Sequence, residues 1–316
     1  MPRITTLTLN PTIDLASEAA AVHPIRKIRT FAERQDPGGG GVNVARVVRE
    51  LGGETLAVIL AGGVTGRFLE ELLDEGGIPR QTVPIAGRTR ISQTVLDRST
   101  GQEYRFVAEG PRVAEAEWQA ALEALAALRD GWLVASGSLA PGVPEDFYAR
   151  LSARAREAGL RFVVDTSGAA LRATLEAGGL TLIKPSLGEF ETLIGRKLPE
   201  AAAQEQAAAE LVRSGKVEMV ALTLGRDGAM LATAEGTLRL PALEVEVRGA
   251  VGAGDSFLAA MTLALARGRT PRDAFAWGVA AGAAAVSNAG TAHPGRAEVA
   301  ALRRRIVGVP MEGDSL

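Results

Sequence analysis

Short apolar runs alternate with stretches of helical periodicity along most of this chain. Residues 4–9, 56–60, 132–135, 161–164, 180–183 and 219–223 are continuously apolar enough to be buried strands. Between them, residues 42–51, 66–75, 116–128, 145–158 and 201–214 repeat apolar positions at helical spacing. Repeated strand–helix alternation predicts an α/β fold: a mostly parallel central sheet with helices on both faces. Ligands of such sheets bind beyond the carboxyl ends of the strands, so chemistry is expected at the strand-to-turn junctions.

Two stretches interrupt the alternation. Residues 25–34 and 90–107 are strand-like with no helix between their apolar positions. In the second, 91–96 and 103–107 flank Asp97-Arg98-Ser99-Thr100-Gly101-Gln102, which reads as a hairpin turn. Polar and apolar residues alternate there, as in a sheet with one wet face. These segments, approximately 15–35 and 88–108, are expected to form a small β-sheet that projects as a lid. From Ser256 onward the pattern is nearly all helical and rich in Ala and Gly, and no low-complexity linker divides the chain. Residues 1–316 are therefore expected to form one domain.

The most informative turn is Gly252-Ala253-Gly254-Asp255, followed at once by a helical pattern. Small residues leave backbone N–H groups uncovered at the positive end of a helix dipole, where an anion is favoured. An aspartate beside such a cradle suits a base that deprotonates an alcohol as it attacks a phosphoryl group. The same turn also fits an N-cap aspartate with no catalytic role. Pro37-Gly38-Gly39-Gly40-Gly41 precedes a second helix with Asn43 in its first turn. It reads as a cradle for a sugar or phosphate, or as a flexible loop whose ordering costs entropy. Thr223-Leu224-Gly225-Arg226-Asp227-Gly228 ends a strand with a hydroxyl and two glycines, which suits nucleotide phosphates or an ordinary β-turn.

Composition narrows the field. The chain has 316 residues, 47% of them hydrophobic, enough for a full core. A net charge of −2 gives no electrostatic case for nucleic acid or an anionic membrane. Without cysteine, thiolate catalysis, disulfides and cysteine metal sites are excluded, and His23 and His293 alone cannot build a multi-histidine centre. No run approaches the roughly 20 apolar residues of a membrane span, and no signal-type segment opens the chain. A cytoplasmic location is expected.

Asp14 after the first strand, the glycines 38–41 with Asn43, 223–228 and 252–255 occur in an order that resembles the ribokinase-like, or PfkB, family of carbohydrate kinases. The resemblance runs from about Thr5 to Thr291, essentially the whole chain. Within the family the chain is most similar to the minor-type ATP-dependent 6-phosphofructokinases of bacteria. Thr6-Leu7-Thr8-Leu9-Asn10-Pro11, 37–45, Tyr104-Arg105-Phe106-Val107, Ser136-Gly137-Ser138-Leu139 and 251–256 carry that similarity. The 1-phosphofructokinases and tagatose-6-phosphate kinases are similar nearly as well. Gly40, where the 1-phosphofructokinase pattern has lysine, and the stretch 104–110 favour the 6-phosphate reading.

The resemblance implies roles. Asp255 would be the base, and the amides of Gly252, Ala253 and Gly254 an anion hole. Asp14, Gly39, Gly40 and Asn43 would hold sugar hydroxyls, with Ser138 nearby. Arg90 and Arg105 would bind the phosphate already on the substrate, a match for arginine's fork, although exposed arginines on a wet sheet face are usually just solvated. Lys27 would reach a ligand from the lid, across a homodimer interface. ATP would lie against Lys184, Ser186, Thr223, Gly225 and Gly228, with Asn288 on the adenine side. Mg2+ would sit near Glu189, through water.

Two departures from the family pattern stand out. Where relatives carry Asn-x-x-Glu after Lys-Pro, this chain has Ser186-Leu187-Gly188-Glu189, so weaker magnesium affinity is expected. Arg248-Gly249-Ala250-Val251 lacks the Asp or Thr side chains that help relatives hold a monovalent cation, so potassium activation is not expected unless carbonyls serve instead. A catalytically silent sugar-phosphate sensor is the alternative from another class, with Ser186 as its only support. Trp118, Trp132 and Trp277 are expected as core or interface anchors, and Arg303-Arg304-Arg305 as a solvated helix face.

Overall fold

The computed structural model describes residues 3–247, 249, 251–288, 293–313 and 316. Its strands are β1 (Ile4–Thr8), β2 (Thr12–Ala19), β3 (Thr30–Gly38), β4 (Thr55–Ala61), β5 (Arg80–Pro84), β6 (Arg90–Asp97) and β7 (Gln102–Val107). The later strands are β8 (Trp132–Ser136), β9 (Arg161–Asp165), β10 (Leu180–Ile183), β11 (Val217–Thr223), β12 (Ala229–Thr233) and β13 (Gly236–Leu240). Helices α1 (Gly40–Glu50), α2 (Gly63–Glu75), α3 (Glu115–Ala124), α4 (Phe147–Glu157) and α5 (Gly168–Ala177) are followed by α6 (Leu187–Ile194) and α7 (Ala201–Arg213). Three more, α8 (Ala253–Ala266), α9 (Pro271–Val286) and α10 (Arg296–Arg304), complete the α-helices among the described residues.

The large sheet runs in the order β13-β12-β11-β10-β9-β8-β1-β4-β5. From β5 to β11 every pairing is parallel, and β12 and β13 close that edge as an antiparallel hairpin. Every residue of β1 is buried, as the continuous apolar run predicted. Alternation along the strands sends apolar side chains to separate clusters on the two faces of the sheet. Leu7 and Leu133 face one cluster with Phe147, Tyr148 and Phe190, while Ile4 and Val134 face another with Phe257, Phe275 and Trp277. Trp118, Trp132 and Trp277 are all buried, as expected of anchors.

The interrupting segments form a separate four-stranded sheet in the order β3-β2-β6-β7, with β2 parallel to β6 and the other pairs antiparallel. Its limits differ from the expected 15–35 and 88–108. It begins at Thr12, and residues 25–29 belong to no strand. Pro24 removes a ladder donor, and Ile25 has φ 67 and is fully exposed, so this part of the chain cannot pair.

A second correction concerns Arg303, which is 1% exposed instead of solvated. Its Nη2 donates to Asp273 Oδ1 at 2.6 Å and to the carbonyls of Val309 and Pro310 at 3.2 and 3.0 Å. Val299, Leu302 and Ile306 are buried too, so position 303 falls on the buried stripe of α10. Among the described residues no helix is long and apolar enough to cross a membrane.

Candidate active site

At β1 the strand order reverses: its two neighbours, β4 and β8, lie on opposite sides and come from different parts of the chain. Such switch points open a crevice beyond the carboxyl ends. The chain leaves β1 through Leu9-Asn10-Pro11 directly into β2, so the small sheet starts at that crevice. Between the small sheet and the large one lies a cavity of about 390 Å³. Asp14, Gly39, Asn43, Arg90, Arg105 and Asp255 line it, so one space collects residues separated by more than two hundred positions.

Two helix N-termini meet there. Gly252, at φ 75, is the N-cap of α8, and Asp255 lies in that helix's first turn. Left-handed backbone at the cap favours glycine, and the uncapped N–H groups of the first turn point toward the cavity end of the helix. Gly39, at φ 108, is the N-cap of α1. A Cβ there would lie 2.8 Å from Thr8 Cγ2, and one on Gly38 would collide with the Asp14 carboxylate. A side chain on Gly40 would strike Ser136 Oγ. The glycine run is therefore what lets α1 begin against the ends of β1 and β8.

Asn43 Nδ2 donates to Asp255 Oδ2 at 2.9 Å, while Asn43 Oδ1 is buried without a partner. Burial pushes Asp255 up to about 6, with the nearby Asp165 charge adding to it and the Asn43 bond and Lys184 opposing. Burial also raises Asp14, against the pull of Arg90. Beneath the first turn of α8, Lys184 Nζ pairs with Asp165 Oδ2 at 3.3 Å. A Cβ on Gly254 would come 3.1 Å from that ammonium. Burial would lower Lys184, but Asp165, Asp255 and Glu189 outweigh it and hold the lysine above its ordinary value.

Asp165 was not among the expected site residues. It ends β9 at the carboxyl edge of the sheet, and an acid closing an apolar run, Phe162-Val163-Val164-Asp165, was the available signal. Arg90 is fixed by two carbonyls: Nη1 donates to Ala108 and Nη2 to Asn10, both at 2.8 Å. Arg105 lines the cavity from β7 and is exposed. Ser138 accepts from Asn10 Nδ2 at 3.5 Å and lines a neighbouring hollow. Lys27 lies on the exposed β2–β3 connection and is not brought into the cavity.

Ser186 and Glu189 form a capping box at the start of α6. The Ser186 N–H and Oγ each donate to Glu189 Oε2 at 2.8 Å, which commits that oxygen to the helix end. Thr223 lies beside them, its N–H donating to the Pro185 carbonyl at 3.0 Å. Gly225 and Gly228 bracket the single helical turn after β11. A side chain on Gly228 would collide with the Leu240 carbonyl, so backbone crowding accounts for that glycine. Asn288 Nδ2 donates to the Ala284 carbonyl at 3.2 Å and to Glu298 Oε2 at 3.4 Å, which ties α9 to α10. Arg248 and Ala250, part of the stretch expected to lack cation-holding side chains, lie outside the described residues.

Among the described residues no group of three or more His, Asp or Glu could cage a metal. Asp165 and Glu189, each with an oxygen already engaged, fit a magnesium ion that arrives on nucleotide phosphates and keeps several waters.

A family model for "pfkB family carbohydrate kinase" matches residues 8–297. An "ATP-dependent 6-phosphofructokinase isozyme 2" of Mycobacterium tuberculosis is 41% identical over 300 residues, 94% of this chain and 88% of the relative. A 1-phosphofructokinase of Xanthomonas campestris is 32% identical over 265 residues, 82% of this chain and 83% of the relative. The crystal structure of phosphofructokinase-2 from Escherichia coli with fructose-6-phosphate superposes with TM-score 0.92 at 36% identity, covering 97% of this chain and 99% of that one. The same E. coli protein in complex with potassium gives TM-score 0.93 at 38% identity, covering 96% and 99%.

Burying Asp255 has a cost that can be measured. Its folded value of about 6 lies above the ordinary 3.8, so the folded state prefers the protonated form and ionisation destabilises it as pH rises. Asp255→Asn should therefore raise the melting temperature, with a larger gain at pH 8 than at pH 5. A gain that is absent or independent of pH in thermal unfolding would contradict the raised value.

Proposed function

The chain belongs to the pfkB family of carbohydrate kinases, and from that premise we propose that it moves the γ-phosphoryl group of ATP to the C1 hydroxyl of fructose 6-phosphate. Fructose 1,6-bisphosphate and ADP are the products. The observation that carries this reading is the cavity itself. A carboxylate poised near neutrality stands at a helix N-terminus, and arginines from the small sheet line the same space.

Asp255 accepts the C1 hydroxyl proton as the oxygen attacks phosphorus and the bond to ADP breaks. A base with a value near 6 is mostly ionised at neutral pH yet basic enough to take that proton. Asn43 holds the carboxylate in place through its amide N–H, and its unpartnered Oδ1 is an acceptor for a sugar hydroxyl. Asp14, Gly39, Gly40 and Ser138 complete the sugar side. The first-turn amides after Gly252, including those of Ala253 and Gly254, receive the negative charge that gathers on the transferred group. Lys184 places a buried positive charge under that turn, which strengthens the same cradle. Arg105 and the carbonyl-fixed Arg90 take the 6-phosphate through their remaining N–H groups.

On the nucleotide side Ser186, Thr223, Gly225 and Gly228 lie along the phosphates, with Asn288 toward the base. Asp165 and Glu189 would hold the magnesium that accompanies the nucleotide, which would supply charge neutralisation on the phosphates. The small sheet acts as a lid that excludes water from the transfer. The enzyme works in the cytoplasm.

The small sheet also supports a homodimer. Among the described residues, six of the nine exposed large hydrophobic residues, Ile25, Ile28, Phe31, Ile91, Phe106 and Val107, lie on it or on the β2–β3 connection. Such clustering marks an interaction surface, and a second copy meeting it would bring Lys27 to its partner's ligand.

Release of ADP from MgATP should show the highest kcat/KM with fructose 6-phosphate, against tagatose 6-phosphate, fructose 1-phosphate, fructose and ribose. Preference for another acceptor would overturn the substrate, and silence with sugar phosphate still bound would favour a sensor. In sedimentation the protein should run as a dimer, and Phe106→Asp should shift it toward monomer. A wild-type monomer would remove the interface.

A further inference from the structure

The strand register of the small sheet places a third arginine where the phosphate of the acceptor would lie. Ala16 pairs with Arg34 on β3 and with Thr94 on β6, and Thr94 pairs with Arg105 on β7. These four residues form one row across the sheet, and all four line the cavity. At ordinary strand spacing the two arginines stand about 14 Å apart at their backbones. The residues between them, Ala16 and Thr94, are small. Two long cationic side chains thus line the same stretch of the cavity with only small residues between them.

Neighbouring rows confine an anion to this one. On the catalytic side Asp14 pairs with Asp36 and with Ser92. On the outer side Glu18 pairs with Leu96, which pairs with Glu103, and Asp14, Glu18 and Glu103 all line the cavity. Glu18 is paired with Arg98, but the carboxylates of Asp14 and Glu103 disfavour a phosphate dianion beside them, so the row of Arg34 and Arg105 is the more favourable position. Arg34 is also held in place. Its Nε donates to Asp36 Oδ2 at 2.8 Å, and Asp36 is gripped in turn by Arg46 Nη2 at 3.1 Å. The Arg34 side chain keeps 42% of its surface exposed and so can reach a ligand. Arg90 has both terminal nitrogens on carbonyls.

We propose that Arg34 is a specificity-determining residue that binds the phosphomonoester of the acceptor opposite Arg105. The proposal rests on the sugar-phosphate reading given above. An arginine present only to offset the facing Asp14 and Asp36 carboxylates would act on the fold of the site and not on the phosphate.

Steady-state kinetics separate these roles. Arg34→Ala should raise KM for fructose 6-phosphate by about 10- to 100-fold, the worth of a charge-assisted hydrogen bond. Its kcat should change by less than about threefold and its KM for ATP should stay the same. Arg34→Lys should recover part of the loss, because a point charge replaces the fork only partly. A KM for fructose 6-phosphate within about twofold of wild type in Arg34→Ala would overturn the proposal alone. So would a loss that falls equally on kcat and on KM for ATP, or no recovery with lysine. A wild-type enzyme that prefers fructose or ribose would overturn the sugar-phosphate reading and this proposal with it, an outcome visible before any variant is made.

Discussion

One hydrogen bond, from Asn43 Nδ2 to Asp255 Oδ2 at 2.9 Å, joins the two helix N-termini on which the site is built. It requires α1 and α8 to begin at the same point, and each does so on a glycine with positive φ. The glycine run at 38–41 brings α1 against β1 and β8, because side chains there would meet Thr8, Ser136 or Asp14. Opposing influences then set the carboxylate. Burial and Asp165 push it up, and Asn43 with Lys184 pulls it back, so that it settles at about 6. A more exposed aspartate would be a weaker base, and one without its amide partner would have no fixed direction.

Charge is distributed by function along the rest of the cavity. Positive groups lie at the first turn of α8, over Lys184, and on the small sheet, where Arg34, Arg90 and Arg105 line the cavity. The acidic residues that also line it, Asp14, Glu18 and Glu103, suit hydroxyl groups, which donate to carboxylates, and do not suit phosphate. Phosphoryl transfer depends mostly on such positioning and on charge stabilisation.

Much of the fold was legible because parallel strands buried on both faces read as continuous apolar runs, as in β1 and β10. β2 was not, since Asp14 and Glu18 break its apolar character by facing a cavity that exists only after folding. The motif residues Asp255, Asn43 and Asp14 do converge, but neither the Asn43–Asp255 bond nor the arginine row could be read without the register. Ser186 and Glu189 were read as an altered metal motif. The spacing Ser-x-x-Glu just before an apolar helix is also that of a capping box, and the backbone uses it so. Arg303 was misread because a run of three arginines suggested solvent, while the helical phase puts only its first member on the buried face.

The account rests on Asp255 acting as a base tuned by burial and by Asn43. The pH dependence of kcat/KM, in wild type and in Asn43→Ala, tests that most directly. Wild type should lose activity on the acid side near 6, where Asp255 takes up its proton. The phosphate of the substrate titrates near 6 as well, so the diagnostic is the difference between the two proteins. Removing the Asn43 donor should move the acid limb to higher pH, because that bond favours the ionised form. Superimposable acid limbs would contradict the tuning, and an acid limb near 4 in wild type would contradict the raised value itself.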